Sequence, residues 1–143
     1  MLLGGLDIRE GGTASLADAG ILDIRQSLTI AENSTLSTNT GKLELEGNIT
    51  VSKAGTMDTN ELNLKKTRLT LENDLEINSG TLFSDSSTDI STGIHTLSLN
   101  AGDNVLHGTV TIGDGSTPKA GALIIDGSAT DISADIVLNG GVF

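Results

Sequence analysis

The stretch GKLELEGNITV, residues 41–51, alternates apolar and polar residues twice within a few positions. Leu43 and Leu45 form the first apolar pair, and Ile49 and Val51 form the second. Alternation with a period of two places successive side chains on opposite faces of a β-strand. A glycine lies between the two pairs, and glycine is typical of turns. The stretch therefore predicts two short strands joined at a tight corner.

Similar apolar pairs recur along the whole chain. The first column of pairs reads Leu6-x-Ile8, Leu28-x-Ile30, Ile49-x-Val51, Leu69-x-Leu71, a weaker Ile90, Val110-x-Ile112 and Ile132. Their first members stand at sequence positions 6, 28, 49, 69, 90, 110 and 132, so the spacing is nearly constant. A period of about 21 residues held over this many intervals indicates a stacked repeat architecture.

Two further columns run in phase with the first. The second reads Leu16, Leu36, Met57, Leu75-x-Ile77 and Leu97-x-Leu99, and fades near Thr117. The third reads Leu22-x-Ile24, Leu43-x-Leu45, Leu62-x-Leu64, Leu82, Leu106, Leu123-x-Ile125 and Val142. This column is least regular between Leu82 and Leu123, which predicts an insertion or a reshaped turn there.

Three short strands per repeat predict an all-β parallel β-helix, or β-solenoid. One coil cannot bury its own apolar side chains, whereas stacked coils bury them in a shared core. We expect about seven coils of about 21 residues with three strands each, in a single domain covering residues 1–143. A β-sandwich is the alternative, because it also has short strands with frequent turns. The common period and an aromatic content of 1% favour the solenoid.

The overall composition limits the class of partner. The formal net charge is −11, from 19 acidic and 8 basic residues, so the chain has no basic footprint for nucleic acid or anionic lipid. No segment is long and apolar enough to span a bilayer. We therefore expect no nucleic-acid partner and no membrane insertion. The absence of cysteine excludes disulfides and Cys-bound metal.

The polar middle residues of the apolar pairs should face solvent. Asp23 and Glu44 are expected on neighbouring rungs of one face, with Arg25 and Lys42 close enough to balance their charges. A file of outward threonines is expected on another face, at positions 29, 50, 70 and 111. Flat threonine arrays occur in ice-binding solenoids, but usually as Thr-x-Thr in two ranks, and within this file only Thr111 has such a partner, at position 109.

The candidate catalytic residues form no recognisable motif. His95 and His107 lack the partners of a catalytic triad or the spacing of a metal site, so we interpret them as exposed turn residues. Asp103, Asp114 and Asp126 are predicted on turns as single acids, without the repeated glycine-rich turns of calcium-binding rolls. We assign no catalytic, cofactor-binding or metal-binding residue and expect no cofactor and no enzymatic activity.

Neither end of the chain resembles a cap. Met1 and Leu2 lead directly into the first coil without a basic, signal-like segment, and residues 140–143 resemble the middle of a coil. Terminal coils of a repeat array expose strand edges and core unless they are covered. We expect an open-ended solenoid, either a fragment of a longer one or a fibre subunit.

Several phrases resemble the repeats of autotransporter passengers and filamentous-haemagglutinin-type exoproteins of bacteria. They are Gly55-Thr56-Met57, GKLELEG at 41–47, GTVTIG at 108–113 and DIVLNGGVF at 135–143. The likeness lies in a Gly-Thr entry, a short aliphatic strand and an Asn or Gly exit, and it extends over nearly the whole chain. The resemblance implies a right-handed β-helix at a bacterial cell surface, used as a spacer, adhesin or fibre element.

Together these features predict a structural or adhesive extracellular module that assembles head-to-tail into a filament. Its expected partners are other copies of itself or adjoining solenoid coils at the open ends, together with host or surface glycans. The alternatives are a carbohydrate-active β-helix, such as a polysaccharide lyase, a hydrolase or a phage tailspike, and then an ice-binding solenoid.

Overall fold

A computed structural model describes residues 1–16, 19–77, 80–100, 102–115, 121–126 and 129–140, and its regular secondary structure is entirely β. Thr117, Val142 and Phe143 of the sequence prediction lie outside the described residues. The strands are β1 Leu2–Leu3, β2 Leu6–Ile8, β3 Thr13–Ser15, β4 Ile21–Ile24, β5 Ser27–Ile30, β6 Thr35–Ser37, β7 Lys42–Lys53, β8 Thr56–Asp58, β9 Glu61–Leu71, β10 Leu75–Ile77, β11 Thr81–Ser84, β12 Asp89–Ser91, β13 Thr96–Leu99, β14 Asp103–Leu106, β15 Thr109–Ile112, β16 Ala122–Ile125, β17 Ala129–Ile132 and β18 Asp135–Leu138.

The strands stack as three faces of a solenoid. Face one follows the order β1-β4-β7-β9-β11-β14-β17. Face two contains β2, β5, the second halves of β7 and β9, β12, β15 and β18. Face three consists of two three-stranded sheets, β3-β6-β8 and β10-β13-β16. Every pairing between these strands is parallel, which confirms the parallel β-solenoid and rules out an antiparallel sandwich.

The solenoid makes about five turns, fewer than the predicted seven coils. On face one, five strands have neighbours on both sides, and β1 and β17 close the row. The expectation of three separate strands per coil also needs correction, because β7 and β9 each run without interruption from face one to face two. Where both strands turn from face one to face two, a β-bulge at Glu46 and Gly47 shifts the register of β7 against β9.

The predicted columns of the central coils are confirmed. Leu22, Leu43, Leu62 and Leu82 pair rung by rung on face one, and Ile49, Leu69, Ile90 and Val110 do so on face two. These eight side chains are 0 to 3% exposed. Burial alternates along each strand, so the inward members form one continuous aliphatic core.

The column assignment is wrong after residue 112. Leu123 pairs with Leu97 on face three, whereas the sequence prediction placed it on face one. Ile132 pairs with Leu106 on face one, and Ile136 takes the predicted place of Ile132 beside Val110. The chain between the rung partners Leu97 and Leu123 is longer than that between Leu75 and Leu97. Because the connection between β15 and β16 is longer, the residues that follow it lie one face away from the face predicted for them.

Two smaller register differences occur in the first coils. Leu28 pairs with Val51 rather than with Ile49. Ala14, and not Leu16, shares a rung with Leu36.

Buried hydroxyl groups satisfy the backbone at the corners. The Thr38 hydroxyl donates to the Thr59 hydroxyl one coil away at 3.1 Å, and the Thr59 hydroxyl donates to the carbonyl of Glu61 at 2.9 Å. Small polar residues at corners thus keep the turning backbone hydrogen-bonded without enlarging the core.

Candidate functional site

The first rung leaves apolar side chains and strand edges open. Among the described residues, β1, β2 and β3 each have one strand neighbour, on the side of the second coil. Met1 is 69% exposed and Leu2 is 62% exposed. Leu3, Leu6 and Leu16 line a cavity of about 60 Å³ at this end of the core. The first rung therefore presents both hydrogen-bonding groups and apolar surface.

The last described rung has the same character. β17 and β18 pair only with β14 and β15 among the described residues. Ile132 is 39% exposed and Leu138 is 57% exposed, although their rung partners Leu106 and Ile112 are fully buried. Ile132 and Leu138 therefore occupy core columns that one further coil would cover.

Acidic side chains on face one are neutralised by ion pairs within and between rungs. Asp23 and Glu44 are rung partners, as predicted. The Arg25 guanidinium lies 3.1 Å from Asp23 and 3.0 Å from Glu46, and Lys65 Nζ lies 2.8 Å from Glu44. The hydrogen bond to Asp23 raises the pKa of Arg25, and the hydrogen bond to Glu44 raises the pKa of Lys65.

Lys42 makes a different ion pair from the predicted one. Its Nζ lies 2.9 Å from a carboxylate oxygen of Glu61 on the next rung, so Lys65 takes the place beside Glu44 that was expected for Lys42. Burial alone would raise the pKa of Glu61, but hydrogen bonds from Lys42 and Asn63 and the charges of Lys42 and Lys65 lower it below its ordinary value. On face one, basic side chains therefore pair with Asp23, Glu44, Glu46 and Glu61.

A file of hydroxyl groups runs along face two, with a different membership from the predicted one. Its members, on consecutive rungs, are Ser27, Thr50, Thr70, Ser91 and Thr111. Thr29 lies outside this file because it pairs with Asp7 and Ser52. The adjacent outward file contains Asn48, Arg68, Asp89, Thr109 and Asp135. The face therefore has one rank of hydroxyls beside a rank of mostly charged groups.

A polar groove lies at the corner between faces one and two. This corner groove has a volume of about 240 Å³ and is lined by Gly47, Asn48, Lys66, Thr67, Arg68, Ser87 and Asp89. This groove was not predicted, because residues 65–68 lie between two apolar pairs and belong to no recognised motif. The available signal was the adjacent Lys65 and Lys66 with Arg68 in an acidic chain.

Comparison with protein-family models, with curated proteins and with solved structures found no match for this chain.

The two histidines lie at separate places and are half-buried, not exposed as predicted. His95 Nδ1 is 3.9 Å from an Asp74 oxygen, and His107 Nε2 is 3.6 Å from an Asp131 oxygen. The ring of His107 also lies 6.4 Å from that of Phe83, centroid to centroid. Each histidine faces an acid of an adjacent rung, and the two do not share a site.

The three predicted turn acids are not gathered into one site. Asp103 is the first residue of β14 rather than a turn residue, whereas Asp114 follows β15 and Asp126 follows β16. Asp114 therefore lies at a different corner from Asp103 and Asp126. Within the described ranges, no group of three or more His, Asp or Glu side chains could hold a metal ion.

The described part of the chain contains no helix with the length and hydropathy needed to cross a membrane.

Proposed function

We propose that this chain is a structural module of an extracellular bacterial protein, and that it extends by stacking end to end on further copies of itself. The proposal includes a right-handed sense for the β-helix, since parallel crossovers are right-handed in nearly all known cases. The repeat resemblance to bacterial surface exoproteins supports the location and the structural or adhesive role.

The open end rungs carry the proposal. Among the described residues, the strands of both end rungs have a neighbour on one side only, and they carry core side chains that an additional coil would bury. An exposed strand edge is a template for pairing with another chain. A head-to-tail contact that does not close generates a filament.

The register of face one favours a head-to-tail contact. Ile24, Leu45, Leu64, Ser84, Leu106 and Ile132 form one inward column, and Leu3 is its first member. If the column continued into a second copy, Leu3 of that copy would cover Ile132. The contact would then bury aliphatic side chains against each other, which stabilises by about 25 cal/mol per Å² of apolar surface removed from water.

Sedimentation velocity over a range of concentrations tests the proposal. We expect the wild-type sedimentation coefficient to rise with concentration. We expect Ile132→Lys to remain monomeric, because Ile132 is 39% exposed in the free chain and stacking would bury the new charge against Leu3 of the next copy. Ile94→Lys is the matched control, because Ile94 is 57% exposed but lies between β12 and β13, away from the end rungs. Concentration-independent sedimentation of the wild type would contradict the proposal.

Ice binding is a second candidate because of the hydroxyl file on face two. The file provides regularly spaced hydroxyls about 4.8 Å apart along the stack. Its adjacent rank contains Asn48, Arg68 and Asp89 in place of a second rank of threonines. Thermal hysteresis measured in wild type and in Thr70→Lys tests this candidate, with loss of hysteresis in the variant as the expected result. Absence of hysteresis in the wild type would refute it.

A further inference from the structure

The corner groove has a backbone that is fixed by hydrogen bonds. Gly47 has φ +94° and Lys66 has φ +49°, so both strands turn the corner through left-handed residues. The Asp85 carboxylate accepts hydrogen bonds from the Lys66 N–H at 3.1 and 3.2 Å, from the Ser87 N–H at 3.0 Å and from the Thr88 hydroxyl at 2.9 Å. The positions of Lys66 and Ser87 on the groove wall are therefore preorganised.

The cationic side chains of the corner groove retain binding capacity. Lys66 makes no ion pair within the described part of the chain, whereas neighbouring Lys65 is held by Glu44 at 2.8 Å. Arg68 contacts Asp89 at 3.7 Å, and these side chains are 72% and 54% exposed. A contact that is long and solvated contributes little, so Arg68 can exchange it for an anionic ligand.

The remaining lining groups match a hydroxylated ligand better than a simple anion. Asn48 offers an amide that donates and accepts, Ser87 offers a hydroxyl, and Asp89 offers a carboxylate that only accepts. A phosphate ion has a high negative charge that Asp89 would repel. Sugar hydroxyls, in contrast, can donate to Asp89 and accept from Asn48.

We propose that the corner groove binds an acidic sugar residue of a polysaccharide, with the sugar carboxylate against Arg68 and Lys66. The ring hydroxyls would contact Asn48, Ser87 and Asp89. The volume of about 240 Å³ is below that of typical small-molecule sites, about 300–1,000 Å³, which suits one sugar unit of a longer chain. The groove gives the module a glycan-binding point on its side wall.

This glycan site goes beyond the proposed end-to-end stacking and is independent of it. The groove lies on β7, β9, the turn before β12 and the start of β12, in the middle of the stack. A protein that stays monomeric but binds the sugar would refute stacking and keep the site. A protein that forms filaments but does not bind the sugar would refute the glycan site and keep stacking.

The test is an NMR titration of the purified chain with a trisaccharide of galacturonic acid. Its fully methyl-esterified form is the matched ligand control, because it keeps the hydroxyls and removes the charges. We expect saturable shifts at Asn48, Arg68 and Ser87, with a Kd in about the millimolar range, and binding at least about tenfold weaker for the ester. Equal binding of the ester, equal binding of inorganic phosphate or no saturable shift would overturn the proposal.

Two variants distinguish specific binding in the corner groove from nonspecific charge attraction. Arg68→Gln and Lys66→Asn remove the cations, and asparagine tolerates the left-handed backbone of position 66. We expect about tenfold weaker binding in each, at an unchanged melting temperature. Lys53→Gln is the control, since Lys53 is another lysine without an ion pair among the described residues. Equal weakening in Lys53→Gln would show nonspecific attraction and refute the site.

Discussion

The central coils around β7 and β9 differ from the last coils around β16 to β18 in both regularity and burial. In the central coils, β7 and β9 pair along their length with a one-residue bulge at Glu46 and Gly47, the inward side chains are nearly inaccessible and ion pairs connect the rungs. In the last coils a longer connection separates Leu97 from its rung partner Leu123, and Ile124, Ile132 and Leu138 are 39 to 57% exposed. The comparison shows that burial of the inward side chains depends on neighbours on both sides of a rung.

The largest expected difference is in the free energy of unfolding, between a substitution at a central core position and the same substitution in the last rung. Leu43 is fully buried, so Leu43→Asp places an unpaired carboxylate in the core and should cost about 4 kcal/mol or more. Ile49→Asp should behave in the same way. Leu138 is 57% exposed in the unstacked chain, so Leu138→Asp should change the stability of the dilute, unstacked protein little. Urea unfolding followed by circular dichroism measures all three, and similar losses at positions 43 and 138 would contradict the account.

A smaller effect is expected at a glycine where two coils approach closely. A Cβ at Gly55 would lie 2.3 Å from the carbonyl oxygen of Ala31 and 2.4 Å from that of Ser34. Gly55→Ala should therefore destabilise by about 1–3 kcal/mol, the usual cost of overpacking.

Gly4 of the first coil is the matched control for Gly55. Its nearest neighbour would be the flexible Gln26 side chain at 3.4 Å, so Gly4→Ala should be nearly neutral. Thermal melting compares the two variants, and equal melting temperatures would mean that the coils are not packed as described.

The smallest effect concerns the ion pair of Lys42 with Glu61. Lys42→Gln should cost about 0.2–1 kcal/mol at pH 7, as for other partly exposed pairs. The folded-state pKa of Glu61 is below its ordinary 4.5, so the pair stabilises above that pH and its contribution is lost as the pH falls through the folded-state value.

The pH dependence of unfolding checks this contribution. The difference between wild type and Lys42→Gln should shrink as the pH falls below 4.5. Lys53→Gln should show no such trend. A constant difference between wild type and Lys42→Gln down to pH 2 would contradict the assignment.

The sequence predicted the fold where its period was constant. Leu43 and Leu62 could be aligned because one coil separates them without insertion. Leu123 and Ile132 were placed on the wrong face, because the irregular spacing between Leu82 and Leu123 indicated an insertion but not by how much it shifts the phase. The columns identified inward residues but not the ion-pair partners of Lys42, which depend on side-chain direction across rungs.

The corner groove could not be predicted for a related reason. Lys66 and Ser87 come together only because Asp85 accepts hydrogen bonds from both segments. That contact depends on the bulge at Gly47, which shifts the register by a single residue. Apolar periodicity does not report such shifts in polar residues.

Disulfide formation between two single-cysteine variants tests end-to-end stacking most directly, since the chain has no cysteine of its own. On face one, Leu2 and Asp131 are the first and last described members of one outward column. In-register stacking would bring them about 4.8 Å apart, within the range of disulfide geometry. Mixed Leu2→Cys and Asp131→Cys proteins should cross-link rapidly, whereas Leu2→Cys with the mid-solenoid Asp89→Cys should not. Equal cross-linking in both mixtures, or none in either, would contradict the account.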